Sequence, residues 1–226
     1  MYWLLRFVVR LIARVYLNRL FKVEGLENVP RSGPLLICPN HISTVDPAVV
    51  PAVVPRADTW SMAKSEYFAT NRPLTRWVFT RYHAFPVVRH TADRAALRRA
   101  LEILAAGEGL ILYPEGTRVD DAQLKQPEPG VGFLAQRSGT LVLPVALTGT
   151  NDCFPKGAWF PRRVRVTVRF GKPFRLEEQR PDGSRVTREE AAAAIMLAIA
   201  EMLPPENRGV FADLEERRAR LSALYV

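Results

Sequence analysis

Four short apolar runs bounded by turn-forming residues set what this 226-residue chain can fold into. They are Leu35-Leu36-Ile37-Cys38, Phe85-Pro86-Val87-Val88, Leu110-Ile111-Leu112-Tyr113 and residues 140–147. Unbroken apolar segments of this length read as strands covered on both faces. Helical patterns lie around and between them at residues 47–54, 92–106, 132–138, 187–203 and 213–224. Thr91 or Asp93 caps the second of these and Gly107 stops it, while a Thr187…Glu190 capping box opens the fourth. Residues 163–170 alternate strictly, with Val164, Val166, Val168 and Phe170 on one face and Arg163, Arg165, Thr167 and Arg169 on the other. That is a strand with one wet, basic face, as in an antiparallel or edge position. Strands alternating with helices predict an α/β fold, a mixed central sheet flanked by helices. We divide the chain into an N-terminal helix over 1–24, a main domain over 25–210 and a C-terminal helical tail over 211–226.

Composition excludes several classes. With 48% hydrophobic and 24% charged residues the chain is globular rather than disordered. Its two cysteines, Cys38 and Cys153, are too few for a disulfide framework and form no zinc-ligand spacing, so no metal site is expected. The 32 Lys+Arg against 23 Asp+Glu leave a net charge of +9, which calls for an anionic partner: nucleic acid, a membrane face or a phosphorylated substrate.

The N-terminus narrows that choice. MYWLLRFVVRLIARVYLNRLF is the most apolar stretch of the chain, yet Arg6, Arg10 and Arg14 interrupt it every four residues. It has no cleavable signal pattern, and three charges would sit in the hydrocarbon if it crossed a bilayer. On a helix the arginines form one stripe beside a wide apolar face of Trp3, Leu4, Phe7, Val8, Leu11, Ile12 and Val15. This is the pattern of an amphipathic helix lying in the membrane interface with its arginines among the headgroups, or of a helix packed on the protein's own core. The basic strand at residues 163–170 lacks a recognised nucleic-acid motif and a stacking platform, so nucleic acid is not expected as a partner.

The chemistry-bearing residues lie in loops after the strands. Asn40-His41-Ile42-Ser43-Thr44-Val45-Asp46 follows the first run. Within one helix, residues five apart point about 140° away from each other, so His41 and Asp46 meet only if the segment is a loop. Asp46 then has two available roles: N-cap of a helix with Pro47 at its first position, or acceptor from one ring nitrogen of His41. In the second role the other nitrogen takes a proton from a substrate hydroxyl, with no protein nucleophile needed. Ser43 lacks the sequence of a nucleophile elbow. Tyr113-Pro114-Glu115-Gly116-Thr117-Arg118 ends the third run and combines a carboxylate, a glycine, a hydroxyl and an arginine, either as a plain turn or as a clamp for a phosphorylated substrate.

Together these loops resemble the glycerophosphate acyltransferase family, which contains the 1-acylglycerol-3-phosphate acyltransferases. His41 and Asp46 match the family's catalytic pair. His83-Ala84-Phe85-Pro86-Val87-Val88-Arg89 is similar to its second block, with Arg89 at the substrate-binding arginine. Pro114-Glu115-Gly116-Thr117-Arg118 matches the third, and Val142-Leu143-Pro144-Val145 fits the fourth. Two positions depart from the pattern: His83 stands where glycine is common, and Glu128 before Pro129-Gly130 where a lysine is common. Both bear on the acceptor more than on the reaction.

The resemblance implies transfer of a fatty acyl group from acyl-CoA or acyl carrier protein to the sn-2 hydroxyl of a lysophospholipid, on the cytoplasmic face of the cell membrane. His41 is then the general base and Asp46 its holder; Arg89, Glu115, Gly116, Thr117 and Arg118 bind the glycerol phosphate. Backbone amides near Pro47 are expected to stabilise the oxyanion. The expected partners are the membrane lipid surface, a lysophospholipid acceptor and the thioester, which acts as co-substrate with no further cofactor. The alternatives within the same pair are another lysolipid acceptor or a lipid hydrolase; a non-catalytic membrane protein leaves the motifs unexplained.

Overall fold

A computed structural model describes residues 2–69, 71, 73–88, 93–155, 157–180 and 183–225, with the Ser222 side chain left aside. Helix α1 (Tyr2–Leu17) leads into strand β1 (Phe21–Glu24). There follow β2 (Leu35–Pro39), α2 (Asp46–Val53), β3 (Thr59–Lys64), α3 (Pro73–Arg81), β4 (Ala84–Val87), α4 (Arg94–Ala105) and β5 (Gly109–Ile111). The chain continues through α5 (Pro129–Ser138), β6 (Leu141–Thr148), the one-turn α6 (Thr150–Cys153), β7 (Val166–Phe170), α7 (Arg188–Ala200) and α8 (Leu214–Leu221). The strands form a mixed seven-stranded sheet in the order β1-β7-β6-β2-β5-β3-β4. Only β6 and β7 pair antiparallel; the other neighbours are parallel.

Strand β2 explains why its sequence is apolar throughout. All five of its residues are buried; Leu36 and Cys38 join the core beneath α4, α5 and α7, and Leu35 and Ile37 join the opposite core beneath α2. The alanine-rich α7 is buried nearly all round and lies so close to α5 that a Cβ on Gly132 would stand 2.0 Å from the Arg188 carbonyl oxygen. Its capping box is formed, with Thr187 Oγ1 accepting from the Glu190 amide and the Glu190 carboxylate accepting from the Thr187 amide. Asp93 caps α4 by accepting from the Ala96 amide at 3.0 Å; Thr91, the other candidate cap, lies outside the described residues. Both cysteines are buried free thiols.

Two strands escape the sequence pattern. Phe21–Glu24, assigned above to the N-terminal segment, is the outer strand β1, which makes β7, antiparallel to β6, an internal strand rather than an edge. Strand β3 alternates weakly because only part of it is buried.

Two of the three α1 arginines reach toward α2, while Arg14 stays exposed. Arg6 is buried, and its guanidinium donates to the carbonyls of Val54 and Arg56. Arg10 donates to the Ala52 carbonyl from Nε at 2.9 Å and Nη2 at 2.6 Å. The Ala52 and Val54 carbonyls finish α2, where a helix leaves its last acceptors unpaired and favours a cation, and Arg56 lies in the segment that follows. The expectation that Arg6 and Arg10 lie among lipid headgroups is therefore overturned: unpaired helix-end carbonyls in a partly buried site attract them more strongly than water does. The apolar side faces out instead, with Trp3 68% and Ile12 59% exposed. Tyr2 closes the helix onto the sheet through its hydroxyl, which donates to the Thr59 carbonyl.

Candidate active site

Strands β2, β5 and β6 run parallel, so the segments that follow them emerge at one edge of the sheet. Asn40 fixes the first of these. Its side chain accepts from the Leu147 amide at 2.7 Å and donates to the Leu147 carbonyl at 3.1 Å, adding one rung to the β2–β6 ladder with side-chain atoms. The chain then turns out of the sheet at His41.

Asp46 holds that turn. Its Oδ2 accepts from the amides of Ile42 at 2.8 Å and Ser43 at 2.7 Å and contacts His41 Nδ1 at 3.0 Å. With two backbone N–H groups already on that oxygen, the hydrogen of the third contact belongs to Nδ1, which leaves Nε2 with its lone pair. Nε2 makes no hydrogen bond among the described residues, and the side chain is 9% exposed. The role of Asp46 as N-cap of α2 is not realised. The helix needs no side-chain cap: Pro47 has no N–H, the Asp46 amide donates to Ser43, and the amides of Ala48 and Val49 both donate to the Val45 carbonyl. The amides of Asp46, Ala48 and Val49 are thereby all bonded within the turn.

The second loop grips the backbone of the first. Glu115 is 4% exposed. Its Oε2 accepts from the His41 amide at 2.8 Å and its Oε1 from the Lys125 amide at 3.3 Å. The Val119 amide donates to the His41 carbonyl at 2.9 Å, so both backbone groups of His41 are fixed from one segment. The Tyr113 ring packs on the imidazole with centroids 4.3 Å apart, its hydroxyl buried without a partner. Glu115 therefore clamps the His41 backbone, and a carboxylate buried this deeply is satisfied by the amides that donate to it. Gly116 turns the chain at φ +66°, where a Cβ would stand 2.7 Å from Glu128 Cγ. This brings the Glu128 carboxylate beside the loop. Thr117 is exposed, and Arg118, partly exposed, pairs with Asp120 at 3.2 Å. Arg89 lies outside the described residues.

Burial raises the Glu115 carboxyl from 4.5 to about 7 despite the two amides that donate to it. Because the folded value lies above the unfolded one, the protonated acid favours the fold. That contribution is complete below about pH 4.5 and is lost as pH rises through about 7. In urea unfolding, wild type should lose stability relative to Glu115→Gln between these pH values by on the order of 3 kcal/mol. A pH-independent difference would refute the buried, neutral Glu115.

His83 has φ +53°, the backbone that the common glycine takes freely. Its ring stacks between Tyr2, with centroids 3.9 Å apart, and Trp60, at 4.8 Å, which ties α1 to the sheet. Asn40 and Tyr113 stand in the two motif segments without an assigned role, and Val119 lies just outside them. Asn40 carried a signal, a polar residue at the end of a wholly apolar strand.

Comparison with known proteins gives the family. The family model described as Acyltransferase matches residues 20–148, which span both loops. The chain belongs to the acyltransferase family. Among its relatives is the 1-acyl-sn-glycerol-3-phosphate acyltransferase LPAT1, chloroplastic, of Arabidopsis thaliana, 28% identical over 162 residues that cover 67% of this chain and 43% of that protein. A 1-acyl-sn-glycerol-3-phosphate acyltransferase of Pseudomonas aeruginosa is 26% identical over 202 residues, covering 87% and 76%. The chain spans about half the length of several curated relatives that it matches. The crystal structure of the 1-acyl-sn-glycerophosphate (LPA) acyltransferase PlsC from Thermotoga maritima superposes with a TM-score of 0.63 at 23% identity, over 87% of this chain and 79% of that one. This acyltransferase-family chain thus shares the fold of PlsC, with His41 and Asp46 at the end of its central strand. Among its described residues no group of three or more His, Cys, Asp or Glu is placed to hold a metal ion, and no helix is long and apolar enough to cross a membrane.

Proposed function

We propose that this chain transfers a fatty acyl group from a thioester, acyl-CoA or acyl carrier protein, to the sn-2 hydroxyl of 1-acylglycerol 3-phosphate, giving phosphatidic acid. The observation that carries the reading is the buried contact between His41 Nδ1 and Asp46 at 3.0 Å, with Nε2 left unbonded. Nε2 takes the hydroxyl proton as the acceptor oxygen attacks the thioester carbon. The tetrahedral intermediate then expels the thiolate, which receives that proton from Nε2, while Asp46 stabilises the transient imidazolium. Thr117 and Arg118, on the exposed side of the second loop, and Arg89 bind the phosphate, where a guanidinium forms paired hydrogen bonds. Gly116 makes the turn that presents them. All named relatives above carry a 1-acylglycerol-phosphate acyltransferase description, which supports this acceptor.

We place the reaction at the cytoplasmic face of the cell membrane, with the chain bound peripherally or monotopically. The outward apolar side chains of α1 support this: the grip of Arg6 and Arg10 on α2 leaves Trp3, Phe7, Leu11 and Ile12 free to enter the interface. One observation favours a second acceptor: the Glu128 carboxylate beside Gly116 opposes a phosphate and suits a lysolipid bearing a cation. Purified full-length protein offered a panel of lysolipids with each thioester tests both readings. Acylation of lysophosphatidate is expected; transfer only to a cationic lysolipid selects the second acceptor, and fatty acid release with no acceptor would mark a hydrolase.

A further inference from the structure

The connection between β6 and β7 carries the two most exposed aromatic side chains described, Trp159 at 92% and Phe160 at 81%. They touch no apolar core. Burying such rings in an apolar medium is strongly favourable, so their exposure to water needs a partner. Three observations say which. First, position: β6 runs parallel to β2, and β7 returns antiparallel from the same edge, with Thr148 paired to Thr167. The connection therefore stands on the edge from which His41 emerges. Second, its base is fixed while its tip is free. The Arg162 amide donates to the Cys153 carbonyl at 2.6 Å, and Cys153 packs with Leu17 and Val166. The Tyr16 hydroxyl donates to the Pro161 carbonyl at 2.6 Å, so the tip continues the outward apolar face of α1. Third, charge: Arg162, Arg163 and Arg165 are exposed directly behind the aromatic pair, and no Asp or Glu occurs between Cys153 and Phe170.

We infer that Trp159 and Phe160 form a second membrane-insertion point, which enters the interface of an anionic bilayer with Arg162, Arg163 and Arg165 on the headgroups. Two regions of contact, the outward face of α1 and this tip on the catalytic edge where α1 ends, hold the protein against the lipid surface. The sn-2 hydroxyl of a bilayer-resident acceptor is thereby presented to His41 without leaving the lipid surface. This inference rests on the proposed acylation at a membrane only for its purpose; the binding itself is tested separately.

The experiment uses the full chain and vesicles of phosphatidylcholine with phosphatidylglycerol. The double variant Trp159→Ser/Phe160→Ser should bind these vesicles at least about tenfold more weakly than wild type. It should acylate detergent-dispersed lysophosphatidate at the wild-type rate. Wild-type vesicle affinity in the variant would overturn the insertion point. Failure of wild type to acylate any lysolipid in detergent would overturn the proposed reaction and leave the insertion result standing. A milder variant guards against misfolding: Trp159→Phe should still bind vesicles, but lose a component of the tryptophan quenching produced by brominated lipid in wild type. Quenching unchanged in Trp159→Phe would place the tip outside the bilayer.

Discussion

His41→Ala is expected to reduce acyl transfer to lysophosphatidate by at least about 10²–10⁴-fold, the range supplied by a positioned general base. The fold should survive, because the groups that hold this position are main-chain atoms. The His41 amide donates to Glu115, and its carbonyl accepts from Val119. Alanine keeps both. The losses are the contact with Asp46 and the packing of the Tyr113 ring. Initial rates with saturating thioester, beside thermal unfolding of the same preparation, separate the two effects. Substantial turnover by a cleanly folded His41→Ala protein would remove the histidine from the chemistry.

Asp46→Asn should cost about 10²–10⁴-fold as well, for a different reason. The amide oxygen can occupy the position of Oδ2 and still accept from Ile42 and Ser43, so the loop keeps its shape. Its NH2 group then takes the place of Oδ1, which is buried with no partner of its own, in a region that also holds the unpartnered Tyr113 hydroxyl. What disappears is the negative charge that stabilises the imidazolium during proton transfer. The expected signature is a fall in kcat with KM little changed, since the carboxylate touches no substrate. An Asp46→Asn enzyme with the wild-type rate would reduce Asp46 to a loop brace, with Ile42 and Ser43 as its only clients.

The two outcomes also separate the levels at which the site is built. The pairing of His41 with Asp46 was legible in the sequence because Pro47 starts a helix and forces the intervening residues into a loop. The destination of the carboxylate was not. Whether Asp46 caps α2 or turns back depends on where the amides of Ala48 and Val49 find acceptors, and both find the Val45 carbonyl. Glu115 is a similar case: its place in the motif marked it, but only the proximity of β2 to β5 shows that its carboxylate holds the His41 backbone. The strands with both faces covered were readable as apolar runs. Strands β1 and β3 were not, because partial burial leaves mixed residues on them and pairing with neighbours distant in the chain holds them in place.

The sequence by itself determined the α/β class, the apolar strands, the capping box of α7 and the order of the two reactive loops, because short-range periodicity and turn chemistry specify these locally. The tertiary structure decided what the charges face. An arginine stripe on α1 has the same spacing whether it meets headgroups or carbonyls; the unpaired carbonyls at the end of α2 drew Arg6 and Arg10 inward and left the apolar side outside. The net charge of +9 pointed to an anion. Long-range packing decided which of those arginines remain free to meet one, because desolvated acceptors compete for a guanidinium before any partner arrives.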